Sequence, residues 1–97
     1  MNEQIKKNLL NLLKLDLGIT HDLRDAYFNN LLVSSQNEIE RTGIVLDFEN
    51  VDDQMLTVDY AAWTYRHRQE DILLSRNLQI RINNRVIKKA GTKDAIN

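Results

Sequence analysis

Asn77-Leu78-Gln79-Ile80-Arg81-Ile82-Asn83-Asn84-Arg85-Val86-Ile87 decides the fold class, because it reads in two ways. Leu78, Ile80 and Ile82 alternate as in a strand, whereas Leu78, Ile82 and Val86 recur at every fourth residue, as on one face of a helix. A strand needs a partner, and the chain offers no second clear strand. The stretch is therefore read as a short helix with Ser75 as its cap, and the fold as all-α.

Upstream, Asn50 or Asp52 caps a helix that carries Met55, Leu56, Val58, Ala62 and Trp63 inward, with Tyr60 as a further candidate. It is expected to reach about Glu70, with a loop from Asp71 to Arg76. Before it, the linker Ile44 to Asn50 contains Val45-Leu46-Asp47-Phe48, which reads as a short extended piece.

The preceding helix is capped by Thr20, or by Asp22 with Asp25 three residues on. It runs to Thr42 through Leu23, Tyr27, Phe28, Leu31, Leu32, Ser35 and Ile39. About twenty residues would make it the longest rod in the protein, roughly 30 Å. Its stop is well marked: Gly43 follows the C-cap, Ile44 falls where it can touch Ile39, and Arg41 complements the helix dipole. The first helix runs from about Glu3 to Leu15 on Ile5, Leu9, Leu12 and Leu13, and Gly18 ends it.

From Lys88 to Asn97 there is no periodicity, so a flexible basic tail is expected. The predicted architecture is a small bundle of three to four helices with a long central helix. One domain covers 1–87 and the tail covers 88–97. The predicted core is Leu9, Leu12, Phe28, Leu32, Ile39, Leu56 and Trp63.

Composition narrows the function classes. The chain has 97 residues, enough for one modest core, with 42% hydrophobic and 28% charged residues. It has no Cys, which excludes a disulfide framework and a thiolate zinc site; with no Pro and three Gly, a many-turned sandwich is not expected. The apolar-rich stretch Ile5–Ile19 is broken by Lys6, Lys7, Asn8, Asn11, Lys14 and Asp16, so no membrane span is expected. With no secretory signal pattern at the N-terminus either, a cytoplasm-like compartment is expected.

Net charge is −1, which gives no bulk attraction to nucleic acid, but the charge is unevenly placed. Residues 1–65 hold five basic and eleven acidic side chains, and residues 66–97 hold eight and three. Such a chain suits head-to-tail contact between copies, or contact with an acidic partner through its tail.

Convergent chemistry is scarce. His21 and His67 belong to no metal-binding spacing and read as exposed polar residues. Asp52-Asp53 and the pair Glu38 and Glu40 read as helix-start charge and a solvated face. Ser34-Ser35 has no glycine elbow and no neighbouring base, and the isolated glycines form no phosphate loop. No catalytic residue, metal or cofactor is expected.

Arg76, Arg81, Arg85, Lys88, Lys89 and Lys93 form the basic concentration, a handle for an acidic surface or for phosphates, or else a solvated face. No short helix-turn-helix with a polar recognition helix is evident. Trp63 with Tyr60 and Tyr65 could stack on a base, but aromatics at helical spacing are more often core.

Four pieces, taken in order, resemble a known family. They are Leu15-Asp16-Leu17-Gly18-Ile19-Thr20, the helix end Ile39-Glu40-Arg41-Thr42-Gly43-Ile44, then Tyr60-Ala61-Ala62-Trp63-Thr64-Tyr65-Arg66, and Arg76-Asn77-Leu78-Gln79-Ile80-Arg81-Ile82-Asn83-Asn84-Arg85. Their order and spacing resemble the small head–tail connector, or head-completion, proteins of tailed bacteriophages and prophages.

The resemblance implies a mostly helical, non-enzymatic subunit made in the bacterial host cytoplasm and placed at the head–tail junction of the virion. It implies a ring of about a dozen copies below the portal. That ring extends the DNA channel, touches packaged DNA without sequence preference, and docks a stopper or tail-completion protein. In some relatives the C-terminal segment reaches into the portal, which would suit the basic stretch from Arg76 onward.

The second helix carries more apolar residues than one stripe needs, so Tyr27, Leu31 and Val33 are the candidate subunit interface. The acidic front and basic back would then meet between neighbouring copies. The alternative is a small helical DNA-binding regulator using the basic C-terminal segment. An enzyme of unknown type is the weakest candidate.

Overall fold

The computed structural model describes residues 1–69 and 73–96, and within the last helix it describes side chains through Ile87. Four helices follow one another: α1 (Glu3–Leu17), α2 (Asp25–Glu40), α3 (Val51–Arg66) and α4 (Arg76–Ile96). No strand occurs among the described residues. The stretch at Asn77–Ile87 is helical, because Leu78 and Ile82 bury on one face against α3 while Ile80 stays exposed.

The helix ends follow local chemistry. Asn2 Oδ1 accepts from Ile5 N at 2.8 Å and opens α1, and Gly18 closes it at φ 73°. Asn50 Oδ1 accepts from Asp52 N at 2.8 Å and opens α3. Ser75 Oγ accepts from Leu78 N at 3.2 Å and opens α4. At the end of α2, Gly43 takes φ 98° and donates to Glu40 O, while Ile39 and Ile44 bury together in the core.

Helix α2 departs from expectation at its start. It has 16 residues, the same as α3, so no long central rod forms; the longest helix is α4, with 21. The cause lies at Asp22 and Asp25, whose carboxylates turn back to Lys14 on α1. Lys14 Nζ sits 2.8 Å from Asp22 Oδ1 and 2.9 Å from Asp25 Oδ1. Asp22 thus anchors a turn instead of capping a helix, and α2 begins three residues later with no side-chain cap. Helix α3 stops at Arg66, earlier than expected, and its expected end at Glu70 lies outside the described residues. Helix α4 continues to Ile96, so its backbone is helical over 88–96, where the lack of periodicity predicted a flexible basic tail.

Helices α1, α2 and α3 pack on one another and α4 packs on α3, in a body extending 50 × 33 × 17 Å. The core holds Leu9 and Leu13 of α1, Phe28, Leu32 and Ile39 of α2, Leu56, Val58, Ala61 and Ala62 of α3, and Leu78 and Ile82 of α4. Two core expectations need correction. Leu12 is only partly buried, because Leu9 and Leu13, four apart, carry the stripe and Leu12 falls on its flank. Trp63 is also partly buried, with one side packed on the core and its ring centroid 4.8 Å from that of His67. Met55 is half-buried as well.

The linker contributes more than expected. Ile44, Leu46 and Phe48 all bury while Val45 is 72% exposed, an alternation like that of a strand but without pairing. Its backbone is held by side chains instead: Leu46 N donates to Glu40 Oε2 at 2.9 Å and Asp47 N to Asp53 Oδ2 at 2.8 Å.

Candidate functional site

The seam between α3 and α4 gathers two of the basic candidates, Arg81 and Arg85. Leu78, Arg81, Ile82, Arg85 and Val86 recur at i, i+3, i+4, i+7 and i+8 and so share one helix face. That face is the one turned to α3, so Arg81 and Arg85 meet its acids. Arg85 forms a fork on Asp53, with Nε 3.0 Å from Oδ1 and Nη2 2.8 Å from Oδ2, and Nη2 also donates to Val45 O at 3.2 Å. Asp53 is 1% exposed. Arg81 Nη1 reaches Asp59 Oδ2 at 2.9 Å, one turn along. Asp53, and behind it Asp47, hold the Arg85 guanidinium charged by raising its pKa above the ordinary arginine value.

These contacts spend charge within the chain. A third link, Arg66 Nη2 to Asp16 Oδ2 at 2.9 Å and to Asp16 O at 3.1 Å, ties the end of α3 to the end of α1. Arg66, Arg81 and Arg85 from the basic back are thus already joined to acids of the front. Of the six basic contact candidates, Arg76 is exposed at the start of α4, Arg81 and Arg85 lie in the seam, and the side chains of Lys88, Lys89 and Lys93 lie outside the described residues.

The subunit-interface candidates do not share one face. At 100° per residue, Tyr27 and Leu31 flank the buried stripe of α2 on one side and Val33 flanks it on the other. Tyr27 packs edge-on to Tyr65 of α3 with ring centroids 6.1 Å apart. Val33 instead borders a shallow depression of about 200 Å³ with Met1, Lys6 and Asn29, towards α1. Tyr27 and Val33 are each 40% exposed, and Leu31 is partly buried.

The remaining candidates are engaged locally. His21 Nδ1 accepts from Leu23 N at 3.3 Å, and His67 lies beside Trp63. No group of three potential metal ligands occurs among the described residues. Glu38 pairs with Arg41 at 3.0 Å, and Glu40 takes the Leu46 and Gln36 donors. Ser35 is buried with its hydroxyl on Leu31 O, leaving Ser34 outside. Tyr60, Trp63 and Tyr65 diverge around α3, so they form no common platform. Burial and the Glu38 carboxylate raise the Tyr60 phenol above its ordinary pKa.

Sequence reading missed the Arg85 fork on Asp53, a residue it took for helix-start charge, and a cluster around Tyr65. Arg24 Cζ lies 4.8 Å from the Tyr27 ring centroid and 5.6 Å from that of Tyr65, and Nη1 donates to Tyr65 Oη at 3.0 Å. Arg68 Cζ stacks 4.0 Å from the same Tyr65 ring. Arg24 and Tyr65 are 41 residues apart in the chain, so no local pattern signals their contact. The grooves along the α3–α4 seam hold about 260 and 270 Å³, below the usual size of small-molecule pockets. No helix is long and apolar enough to cross a membrane among the described residues. No family model, curated protein or solved structure matches the chain.

Proposed function

We propose that the chain is a structural subunit of the head–tail connector kind, which assembles as a ring beneath a phage portal. In this role it extends the DNA channel, touches the packaged DNA without sequence preference, and offers a docking surface to a stopper or tail-completion protein. It sits at the head–tail junction of the virion and performs no catalysis. The observation that carries this is the form of α4. The helix has 21 residues, about 31 Å, and its first three turns anchor it to α3 through buried Leu78 and Ile82 and half-buried Val86. A terminal helix of this length, anchored by its first turns, is suited to reach a neighbouring subunit or the portal. The all-helical fold and the order of the four quoted pieces support the same role.

The test mixes the purified chain with a portal ring from the same genome and images the product by negative-stain electron microscopy. A ring of added density on one face of the portal is the expected result. Portal particles unchanged at saturating protein would overturn the proposal. The rival, a DNA-binding regulator, is less favoured because Arg81 and Arg85 are bound to Asp59 and Asp53. Duplex binding that falls steeply with salt, combined with no effect on the portal, would install that rival instead.

A further inference from the structure

We propose that the two ends of α3 are complementary docking surfaces, the C-terminal end of one copy seating against the N-terminal end of the next. This rests on the ring reading and goes beyond it by naming the surfaces.

At the C-terminal end, Arg24 and Arg68 both lie against the Tyr65 ring, and neither meets a carboxylate among the described residues. The acids nearest to Arg24 in sequence, Asp22 and Asp25, are drawn off by Lys14. Two guanidinium groups gathered on one ring repel each other, and an approaching anion relieves that repulsion. Beside them Leu23 is 89% exposed and Tyr27 is 40% exposed. Cationic, aromatic and apolar surface therefore coincide, with Arg and Tyr the residue types that anchor protein interfaces.

At the N-terminal end, Asp47, Glu49 and Asp52 are exposed around the cap of α3, and Glu49 and Asp52 form no ion pair among the described residues. Asp52 suits the helix N-terminus. That role does not account for Glu49, nor for Val45 and Val51, which are 72% and 66% exposed. Among the described side chains, this end presents unpaired carboxylates beside apolar surface, where the other presents Arg24 and Arg68 beside apolar surface. The two lie at opposite ends of a 16-residue helix, about 24 Å apart. Joining unlike ends of successive copies gives a heterologous contact, which forms a ring when the rotation between copies closes and a filament when it does not.

The test uses the full chain and two variants, Arg24→Ser with Arg68→Ser, and Glu49→Ser with Asp52→Ser, each checked for helical content by circular dichroism. Sedimentation velocity follows assembly up to about 1 mM, where a contact of that affinity is already half formed. The wild-type chain is expected to self-associate, and each variant alone to do so about tenfold more weakly or worse. An equimolar mixture of the two variants keeps one intact junction per pair, so it should form a one-to-one dimer and nothing larger. Leu23→Asp and Val51→Asp, which disturb no ion pair, repeat the test should either first variant lose its fold. A wild-type chain monomeric at the highest concentration, either variant assembling as wild type does, or a mixture without dimer would overturn the assignment. The ring reading fails by a different result, an unchanged portal.

Discussion

Replacing Arg85 by Met should destabilise the protein by about 3 kcal/mol, far more than loss of a surface ion pair. Met keeps the aliphatic stem against α3 and removes only the guanidinium. Asp53 then remains 1% exposed with a single described donor, Asp47 N, in place of three. Leaving a buried carboxylate without its cation costs roughly 3–5 kcal/mol, and the lower figure applies because the Arg85 side chain is 28% exposed. A chain of this size has about 5–15 kcal/mol in total, so the loss would be a large share. In urea, at an m value of about 1.5 kcal/mol/M, the midpoint should fall by about 2 M. The thermal midpoint should fall by at least about 12 °C. Adding Asp53→Asn removes the stranded charge but keeps an acceptor for Asp47 N, so Asp53→Asn with Arg85→Met should recover much of the loss. Circular dichroism and Trp63 fluorescence during urea titration give both values. A cost below about 1 kcal/mol, as for an exposed pair, or a double variant no more stable than Arg85→Met, would refute this account of the seam.

Other outcomes follow from the helix ends and from Lys14. Gly43→Ala should cost about 1–2 kcal/mol in urea denaturation: the φ of 98° strains any L side chain, although nothing lies within 4 Å of the added carbon. Asn50→Ala should cost about 1 kcal/mol by the same assay, because Asp52 N loses its acceptor. The Asp22 carboxyl, hydrogen-bonded and ion-paired to Lys14, should titrate below the ordinary aspartate value, and Lys14→Met should return it to that value, as read by carbon NMR. Because its folded-state pKa is lowered, its contribution to stability is present above the ordinary carboxylate range and disappears as pH falls through the lowered value.

The helix ends were legible because each is set by residues close in sequence. Gly18, Asn50 and Ser75 act within a few positions of themselves, and Ile39, Gly43 and Ile44 form one local unit. The start of α2 was not legible, since Asp22 chose a lysine eight residues upstream over the helix cap it resembles. Asp52 and Asp53 look alike in sequence, yet 100° of helix rotation leaves one in solvent and carries the other under Arg85, 32 residues on. A signal for Arg85 existed: it lies on the same helical face as Leu78 and Ile82, which points it into the seam and not away from the protein. The cluster of Arg24, Tyr65 and Arg68 was legible only in part: Arg68 lies three residues after Tyr65, whereas the packing of α2 on α3 brings in Arg24 from 41 residues away.

Native mass spectrometry of a portal ring saturated with this chain tests the central claim most directly. The account predicts added mass equal to a closed set of about a dozen chains, bound all or none. A portal whose mass is unchanged, or one that takes up chains singly without closing a ring, would contradict it.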